Sequence, residues 1–370
     1  MSQNPVAATP PDGPSTAVAV ASNATVPLSG AALAAMAAGI PDSTRAAYSG
    51  DWSRFTTWCS TASRTPLPAT PETVIEYVTE LTTQPRPGTG RPYSPSSIER
   101  ALASIRTAHR SANLQPPETK GARLVLRGYT DTRARSKDPA ARTRKATPAM
   151  PDSLRAMIAT LDRSTLAGKR DTALLLLGFA TAGRVSELVA LDLADVTVVV
   201  VDGAAPSDQE AGKKGLLVQM YRGKVRKLTE VAVPYGSNPA TCPVRAVLPL
   251  IAAMREAGRD QGPLFVRVDR HDRLAPPMLR RGEPIGDPQG RLTAQAAAQV
   301  VERVADAAGL VGQWTGHSLR RGFATAAKKA GHDLLLIGRH GGWQDGSKAL
   351  LGYFESADQW EENALHSIGL

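Results

Sequence analysis

The sequence predicts a mainly α-helical protein with a small antiparallel β-sheet, an α+β fold divided between two domains. Three observations lead to this prediction. Apolar residues recur at helical spacing through most of the chain after residue 41. Short runs rich in β-branched residues cluster between residues 196 and 233 and predict strands. Residues 131–147 are dense in arginine and lysine and lack apolar periodicity, which predicts an interdomain linker.

The first predicted domain covers residues 41–130 and follows an arm. Residues 1–40 are rich in alanine, proline, serine and threonine and almost uncharged, so we expect a disordered arm. Helices are predicted over residues 44–60, 71–81 and 118–129, with a further helix opening at residue 95. Prolines at residues 71 and 95 suit first helical positions, and threonine or serine before them suits caps.

The second predicted domain covers residues 148–355. Helices are expected from residue 152 to 161 and over 167–182, 242–257 and 293–308, and strands over 196–201, 216–221 and 229–233. An amphipathic run over residues 322–337 then precedes a tight turn at 339–343. Residues 356–370 form a separate tail with Trp360, Ala364, Leu365 and Ile368 at helical spacing, an apolar stripe that a short helix cannot bury alone.

The composition predicts a basic protein that does not span a membrane. Of its 370 residues 42% are apolar, yet the longest apolar runs are far too short to span a bilayer, and the start does not read as a signal peptide. Two distant cysteines, Cys59 and Cys242, predict reduced thiols in a cytoplasmic protein. There is no Cys/His spacing typical of zinc and no phosphate-loop motif, so we expect neither a metal nor a cofactor.

The positive charge is uneven along the chain. The net charge is +10, and residues 41–147 alone supply +8, against −1 for residues 1–40 and +3 for residues 148–370. A basic surplus in one module indicates a polyanion partner, most simply DNA. A GC-rich genome raises the arginine content of its proteins and would give the same surplus, so charge alone leaves this alternative open.

Four side chains near the end of the chain have the chemistry to attack a phosphodiester. His317 and Arg320 stand three residues apart and share a face if helical, and Trp343 and Tyr353 follow. An arginine grips two phosphate oxygens, histidine and tryptophan donate to others, and a phenol of pKa about 10 needs such a site to act as a nucleophile. Taken singly, each has a plainer interpretation: a core tyrosine, a solvated arginine, a turn with an aromatic plug.

The order of these motifs resembles that of the tyrosine recombinase, or lambda-type integrase, family. The resemblance rests on the segment from Ala182 to Leu188, AGRVSEL, then on the segment from His317 to Arg320, HSLR, and on Trp343 and Tyr353. It extends from about residue 41 to the C-terminus and is widest to the Cre-like members of the family. The spacing from Trp343 to Tyr353 is one residue longer than in those members.

The resemblance implies a role for each catalytic position. Two arginines would clamp the scissile phosphate, an acidic neighbour would orient the first of them, and histidine and tryptophan would donate to the phosphate. A hairpin lysine would protonate the leaving 5′ oxygen; the alignment favours Lys224, with Lys227 as the alternative. The implied catalytic residues are Arg184, Glu187, Lys224, His317, Arg320, Trp343 and the nucleophile Tyr353.

The resemblance also implies a DNA-binding surface and residues outside it. The DNA-facing positions are Arg45, Ser97, Arg100 and Ser104 in the first domain and Arg267, Arg270 and Gln295 in the second. Arg321, Lys328 and Lys329 are expected on an exposed helix face, and His332 and His340 in caps or turns.

The function implied is site-specific recombination of double-stranded DNA by a helical core-binding domain and a catalytic domain. A 3′-phosphotyrosine link and a Holliday junction would be the intermediates. A protein that is monomeric in solution would form a homotetramer on two sites, each with paired inverted half-sites, with each tail docked on a neighbouring protomer. The alternatives are a type IB topoisomerase, which relaxes DNA without exchanging partners, and a non-catalytic DNA-binding protein.

Overall fold

The computed structural model describes residues 38–137, 145–200 and 213–354, together with residues 29–31 and 35. The chain divides into two compact units, Met1–Thr143 and Arg144–Leu370. The described residues are mainly helical, with a three-stranded and a two-stranded antiparallel sheet, which confirms the predicted fold class. The predicted tail, most of the predicted arm and residues 138–144 of the predicted linker lie outside the described residues.

Between residues 42 and 135 the structure describes four helices in the first unit. Two of them begin as the sequence predicts: the Thr70 hydroxyl accepts the N–H of Thr73, the Ser94 hydroxyl accepts the N–H of Ser97, and a proline opens each helix. The helices are α1 (Asp42–Thr61), α2 (Pro71–Thr83), α3 (Pro95–Ser111) and α4 (Lys120–Arg135).

Aromatic rings from α1 and α2 pack on aliphatic side chains of α3. The Phe55 and Tyr77 rings lie 5.0 Å apart in an edge-to-face arrangement. Ile98, Leu102 and Ile105 present the apolar face of α3 to them and are fully buried. Each buried side chain of this size contributes roughly 1.5–3 kcal/mol to folding, so this core holds the unit together.

The helix α4 extends further than predicted, to Arg135 rather than to residue 129. Its last turns are held by polar contacts, which apolar periodicity does not reveal. The Tyr129 hydroxyl and Arg133 Nη1 both donate to the Tyr93 carbonyl, at 2.8 and 3.0 Å, and the Arg133 guanidinium lies 5.2 Å from the Tyr129 ring. The first residues of the predicted linker are therefore helical.

The second unit combines helices with two small antiparallel sheets. Its helices are α5 (Pro151–Ala159), α6 (Leu166–Ala180), α7 (Val185–Val189), α8 (Pro243–Glu256), α9 (Ala294–Ala307), α10 (His317–Lys329), α11 (Leu334–Gly341) and α12 (Lys348–Phe354). Its strands are β1 (Val196–Val200), β2 (Lys213–Arg222), β3 (Lys227–Pro234), β4 (Met278–Arg280) and β5 (Glu283–Ile285).

The helix α6 lies at the centre of this unit, where the run from Leu174 to Leu177 is almost wholly buried. A helix with apolar residues on all sides needs neighbours on all sides, and α6 packs against α8 and α10. The order of the larger sheet is β1-β2-β3, and its register runs through Val218 opposite Val231 to the last pair, Arg222 opposite Lys227. This register places a turn of residues 223–226 at the end of the hairpin.

Three features of the second unit differ from the prediction. The amphipathic run splits into α10 and α11, because Gly331 after α10 has a positive φ of 81° that ends the helix. The hairpin of β4 and β5 lies in a stretch predicted as loop, and its turn residues Arg281 and Gly282 have φ values of 54° and 86°, typical of a type I′ turn. The third feature is a pair of short helices, α7 and α12, which the sequence analysis missed. In the described ranges, no helix is long and apolar enough to cross a membrane.

Candidate active site

A buried carboxylate organises the start of α7. The Glu187 Oε2 atom accepts the backbone N–H of Arg184 at 3.0 Å, and Oε1 accepts a hydrogen bond from the Arg184 guanidinium. Burial alone would raise the pKa of Glu187, but the hydrogen bonds and charge of Arg184, with the charge of Arg222, outweigh it and lower the pKa. Glu187 is therefore ionised and orients Arg184, whose side chain stays partly exposed.

A second arginine, which the sequence analysis missed, completes this arrangement from the other side. Arg222, the last residue of β2, is fully buried and donates to Glu187 Oε2 at 3.1 Å. Its other donors reach the carbonyls of Thr181 at 2.9 Å and His340 at 3.4 Å, and the Thr229 hydroxyl at 3.3 Å. Burial lowers the pKa of Arg222, and Glu187 opposes that effect. From sequence, an arginine at the end of a hairpin strand is expected to be exposed to solvent. The burial of Arg222 becomes evident only when Glu187 is seen beside it in the fold.

Arg320 is buried beneath an aromatic ring with one donor unused. Its Nη1 atom donates to the carbonyls of Ala182 and Gly341, the latter at 2.7 Å, and its guanidinium lies 3.6 Å from the centre of the Trp343 ring. Nη2 is buried and has no hydrogen-bond partner among the described residues. A buried donor without a partner costs free energy that a bound anion would restore. Burial and the charge of Arg184 lower the pKa of Arg320, but a guanidinium stays protonated at neutral pH.

The turn that receives Arg320 is conformationally unusual. Ala182, buried in the turn between α6 and α7, has a φ of 48°, which a non-glycine residue rarely adopts. This conformation accompanies a carbonyl that accepts from Arg320, and the preceding Thr181 carbonyl accepts from Arg222. On the other side, a Cβ at Gly341 would lie 1.7 Å from the Trp343 ring, so only glycine fits there. Close packing therefore fixes both the arginine and the indole.

His317 and Lys224 lie near these arginines. His317 opens α10, and its pKa is lowered, first by partial burial of the imidazole and then by the positive charges of Arg184, Arg320 and Lys224. The imidazole is thus neutral at pH 7 and can donate or accept a proton. Lys224 is exposed in the hairpin turn. Its positive charge is among the causes that lower the pKa of His317.

Tyr353 lies in α12 against the same indole. Its ring is half-buried and meets the Trp343 ring edge to face, with centres 6.0 Å apart. Its charge when ionised would also act on Arg320 and Arg321. The loop after Trp343 includes Gly346 with a φ of 70°. Despite the longer spacing, the chain therefore brings Tyr353 back beside Trp343.

The described part of the site has a surplus of positive charge. Arg184, Arg222 and Arg320 surround the carboxylate of Glu187, and the charge of each arginine acts on at least one of the others. Lys224 adds a further positive charge. Preformed cationic donors in a partly buried site stabilise an anion, and they stabilise a transition state that gains negative charge still more. This arrangement suits a phosphodiester.

The predicted DNA-facing residues differ in their surroundings. Arg100 is exposed but held by the buried carboxylate of Asp51 through bonds of 2.7 and 3.1 Å. The prediction for Ser104 is wrong in this structure: it is 2% exposed and its hydroxyl donates to the Ala101 carbonyl, because it lies on the inner face of α3. The remaining predicted positions have at least partly exposed side chains: Arg45, Ser97, Arg267, Arg270 and Gln295.

Three further expectations concern side chains near the site. Arg321 is 5% exposed, so the expectation of an exposed residue is wrong; its guanidinium donates to the Ala146 carbonyl at 2.9 Å. His340 stacks on the Phe323 ring at 4.6 Å, and its Nε2 lies 2.6 Å from the Ala180 carbonyl, so it supports the end of α11. His332 is exposed just after α10.

Comparisons with known proteins agree on one family. Residues 150–359 match the phage integrase family. An integrase/recombinase xerD homolog of Selenomonas ruminantium is 29% identical over 331 residues, which cover 88% of this chain and 85% of the relative. The solved structure of a lambda integrase fragment, residues 75–356, as a dimer bound to a COC′ core site has a TM-score of 0.51 at 14% identity, over 90% of this chain and 94% of that one.

A crystal structure of XerA recombinase has a TM-score of 0.36 at 16% identity, over 88% of this chain and 90% of that one. The lambda integrase structure shares the fold. The relatives described here do not confirm the prediction that similarity is widest to Cre-like members.

The Glu187→Gln variant tests the buried carboxylate. It keeps the shape but leaves two arginines uncompensated, so we expect the free energy of unfolding to fall by about 3–5 kcal/mol at pH 7. Because the folded-state pKa of Glu187 is lowered, its stabilisation is present above the ordinary glutamate pKa and is lost as pH falls through the folded-state value. The difference between parent and variant should therefore shrink in acid, as measured by denaturant unfolding from pH 7 to pH 3.

Glu230→Gln is the matched control, since Glu230 is exposed on β3 and accepts a hydrogen bond from Gln219. Its effect should stay within about 0.5 kcal/mol. A Glu187→Gln effect no larger than that of this control would contradict the role assigned to the carboxylate.

Proposed function

This chain belongs to the phage integrase family and is a site-specific tyrosine recombinase that cuts and rejoins DNA; we propose that Tyr353 is its nucleophile. In this proposal the enzyme forms a 3′-phosphotyrosine link, and Arg184 and Arg320 hold the scissile phosphate. Glu187 orients Arg184, and Lys224 is the general acid. His317 and Trp343 are the remaining catalytic groups.

The observation that supports this proposal best is the unused donor of Arg320. Within the part of the chain that the structure describes, Nη2 is buried and without a partner, although Nη1 of the same side chain has two acceptors. Arg320 lies within electrostatic reach of both Arg184 and Tyr353. An anion between them would satisfy the donor, and the phenol would stand close enough to attack it. The donors of a buried side chain that serves only packing are in most cases satisfied within the protein.

The proposed cleavage step balances protons without a metal or nucleotide. The Tyr353 oxygen bonds to phosphorus and the bond from phosphorus to the 5′ oxygen breaks. The phenol proton passes to His317, which is neutral because its pKa is lowered and which lines the same cleft as Tyr353. Lys224 gives a proton to the leaving 5′ oxygen, which would otherwise leave as a poor alkoxide. Because the phosphotyrosine link stores the energy of the cut bond, rejoining needs no ATP.

Strand exchange would then follow from assembly. We place four protomers on two sites with inverted half-sites, exchanging strands through a Holliday junction. The lambda integrase structure that shares this fold is a dimer on a core site. The family assignment disfavours a non-catalytic binding protein, and a topoisomerase would relax DNA without exchanging partners.

The Tyr353→Phe variant is the most direct test. It should bind a site selected from random DNA as tightly as the parent but form no covalent adduct, because the ring keeps its packing and loses only the attacking oxygen. The measurement is adduct formation on a nicked suicide duplex, followed by peptide mapping of the phosphotyrosine. A parent adduct mapped to another tyrosine would refute the assignment. Tyr221→Phe is a suitable control, because Tyr221 is exposed on β2.

The role of Lys224 can be separated from DNA binding by changing the leaving group. Lys224→Ala should cut an ordinary duplex about 10²-fold more slowly or worse. It should recover on a duplex whose 5′ leaving atom is sulfur, because a thiolate needs little protonation to leave. Lys227→Ala should cut both duplexes at nearly the parent rate. If Lys227→Ala shows the sulfur-dependent recovery instead, the general acid has been misassigned.

Assembly has a candidate docking surface in an apolar groove between α6, α10 and α11. The groove has a volume of about 500 Å³. Beside it Leu334, Leu335 and Leu336 are 38%, 48% and 56% exposed, an unusual cluster for a surface helix. We propose that residues 356–370 of a second copy occupy this groove, since their apolar stripe matches its chemistry. The groove is lined by Pro151, Phe179, Phe323, Ala326, Ala327, Ala330, His332, Leu336, Ile337 and His340.

Deleting residues 356–370 and introducing Leu336→Glu should have the same consequence. Each should leave binding to one half-site intact but reduce cooperative binding to paired half-sites and the yield of recombinants, because each removes one side of the same contact. Gel-shift titrations on one and two half-sites measure this. Leu279→Glu, at an equally exposed leucine of β4, is the control and should change neither quantity. Unchanged cooperativity in the deletion would show that the tail folds back on its own protomer or elsewhere.

A further inference from the structure

Another buried arginine lies beside the proposed nucleophile. Arg321 follows Arg320 directly in α10 and is 5% exposed, although sequence reasoning places it on a solvated face. Its guanidinium lies 6.0 Å from the centre of the Tyr353 ring, within the range of a cation–π contact. Burial lowers the pKa of Arg321, and the charge of an ionised Tyr353 would oppose that effect. The two side chains are therefore electrostatic neighbours.

The same guanidinium is anchored to a different part of the chain. Arg321 Nη1 donates to the Ala146 carbonyl at 2.9 Å, in the short segment that precedes α5. One residue earlier, the Lys145 ammonium donates to the carbonyl of Gly352 at 3.3 Å, immediately before the nucleophile. Two independent contacts thus connect residues 145–146 with residues 352–353.

The segment that supplies these contacts is itself fixed on the catalytic unit. Thr147 and Gln313 exchange two hydrogen bonds of 2.8 Å, one of them through the Thr147 hydroxyl, and the Ala149 N–H donates to the Ser318 carbonyl at 2.9 Å. Gly322 packs so closely on Ala149 that a Cβ there would lie 2.2 Å from the Ala149 oxygen. Residues 147–149 are therefore held in place on the second unit.

By contrast, the helix that presents the nucleophile has little apolar anchoring of its own. α12 has seven residues, and among them only Leu350 is buried. A helix this short is marginal without tertiary contacts. The contacts of Arg321 and Lys145 therefore add to those of Leu350 and Trp343 in deciding where Tyr353 stands.

We propose that Arg321 is a positioning residue for Tyr353. Its contact with the Tyr353 ring and its hydrogen bond to Ala146, together with the hydrogen bond from Lys145 to Gly352, hold the nucleophile against the start of the second unit. This inference rests on the proposed function in taking Tyr353 as the nucleophile. In this role Arg321 acts through the Tyr353 ring, whose hydroxyl oxygen attacks the phosphate. Residues 145–146 also end the predicted linker, so a shift of that segment changes the position of the nucleophile without changing the clamp.

Hydrogen exchange of the full-length protein, without DNA, tests the contact itself. In Arg321→Ala the amides of residues 350–354 should exchange about tenfold faster, because a charged hydrogen bond and a ring contact are lost. Lys145→Ala should change them in the same direction by less. Arg321→Lys should restore part of the protection, since an ammonium can reach the same carbonyl but lacks the planar fork.

Arg245→Ala is the matched control. Arg245 also donates to a backbone carbonyl, that of Gly236 at 3.3 Å, and lies 5.2 Å from a tyrosine ring, that of Tyr235. It should leave exchange at residues 350–354 unchanged. Equal exchange in Arg321→Ala and the parent would overturn the inference, as would an increase spread evenly over the whole unit.

Cleavage of the suicide duplex gives the second measurement. Arg321→Ala should form the Tyr353 adduct about tenfold more slowly at unchanged DNA affinity, and Arg321→Lys should fall between it and the parent. If the parent forms no adduct at Tyr353, the proposed function fails, while hydrogen exchange still decides the contact. If the parent forms the adduct and Arg321→Ala forms it equally fast, the positioning role fails and the proposed function stands.

Discussion

The catalytic unit depends on one buried carboxylate. Glu187 is 5% exposed and bridges Arg184 at the start of α7 to Arg222 at the end of β2. An uncompensated charge at that depth would be strongly unfavourable, so each of the three groups is stable only in the presence of the others. The interaction joins elements that are distant in sequence, the turn after α6 and the hairpin. The fold of the sheet therefore determines where Arg184 lies. It also determines the position of Lys224, two residues beyond Arg222.

Further hydrogen bonds, from Arg222 and Arg320, position the other half of the site. Arg222 also donates to the carbonyl of His340, and Arg320 to that of Gly341, so the end of α11 is held by two arginines at adjacent carbonyls. Trp343 then follows Gly342, whose φ of 66° ends the helix. The indole covers one face of Arg320 and meets Tyr353 with its edge. The side chains proposed to be catalytic are thus held both by backbone carbonyls and by contacts with one another.

The sequence predicted the helices of the first unit and the larger sheet, because caps and apolar spacing are local signals. It also indicated Arg184, His317, Arg320 and Tyr353, but through the order of their motifs rather than through geometry. It missed Arg222 and misplaced Arg321, since burial of an arginine is decided by partners far along the chain. The prediction for Ser104 was wrong for the opposite reason. A serine hydroxyl can be buried because it can donate to a carbonyl of its own helix, and the inner position of Ser104 follows only from the packing of α3.

The pairing of Asp51 with Arg100 has a consequence for the energetics of DNA recognition. A free arginine loses about 2 kcal/mol of rotamer entropy when it is immobilised at an interface. Arg100 has already lost part of that freedom in the free protein, because the buried carboxylate holds its guanidinium in a fixed plane. The same carboxylate offsets its charge, so Arg100 displaces fewer counterions than an isolated arginine would. If Arg100 contacts DNA, that contact adds geometric discrimination and contributes little to the salt dependence of binding.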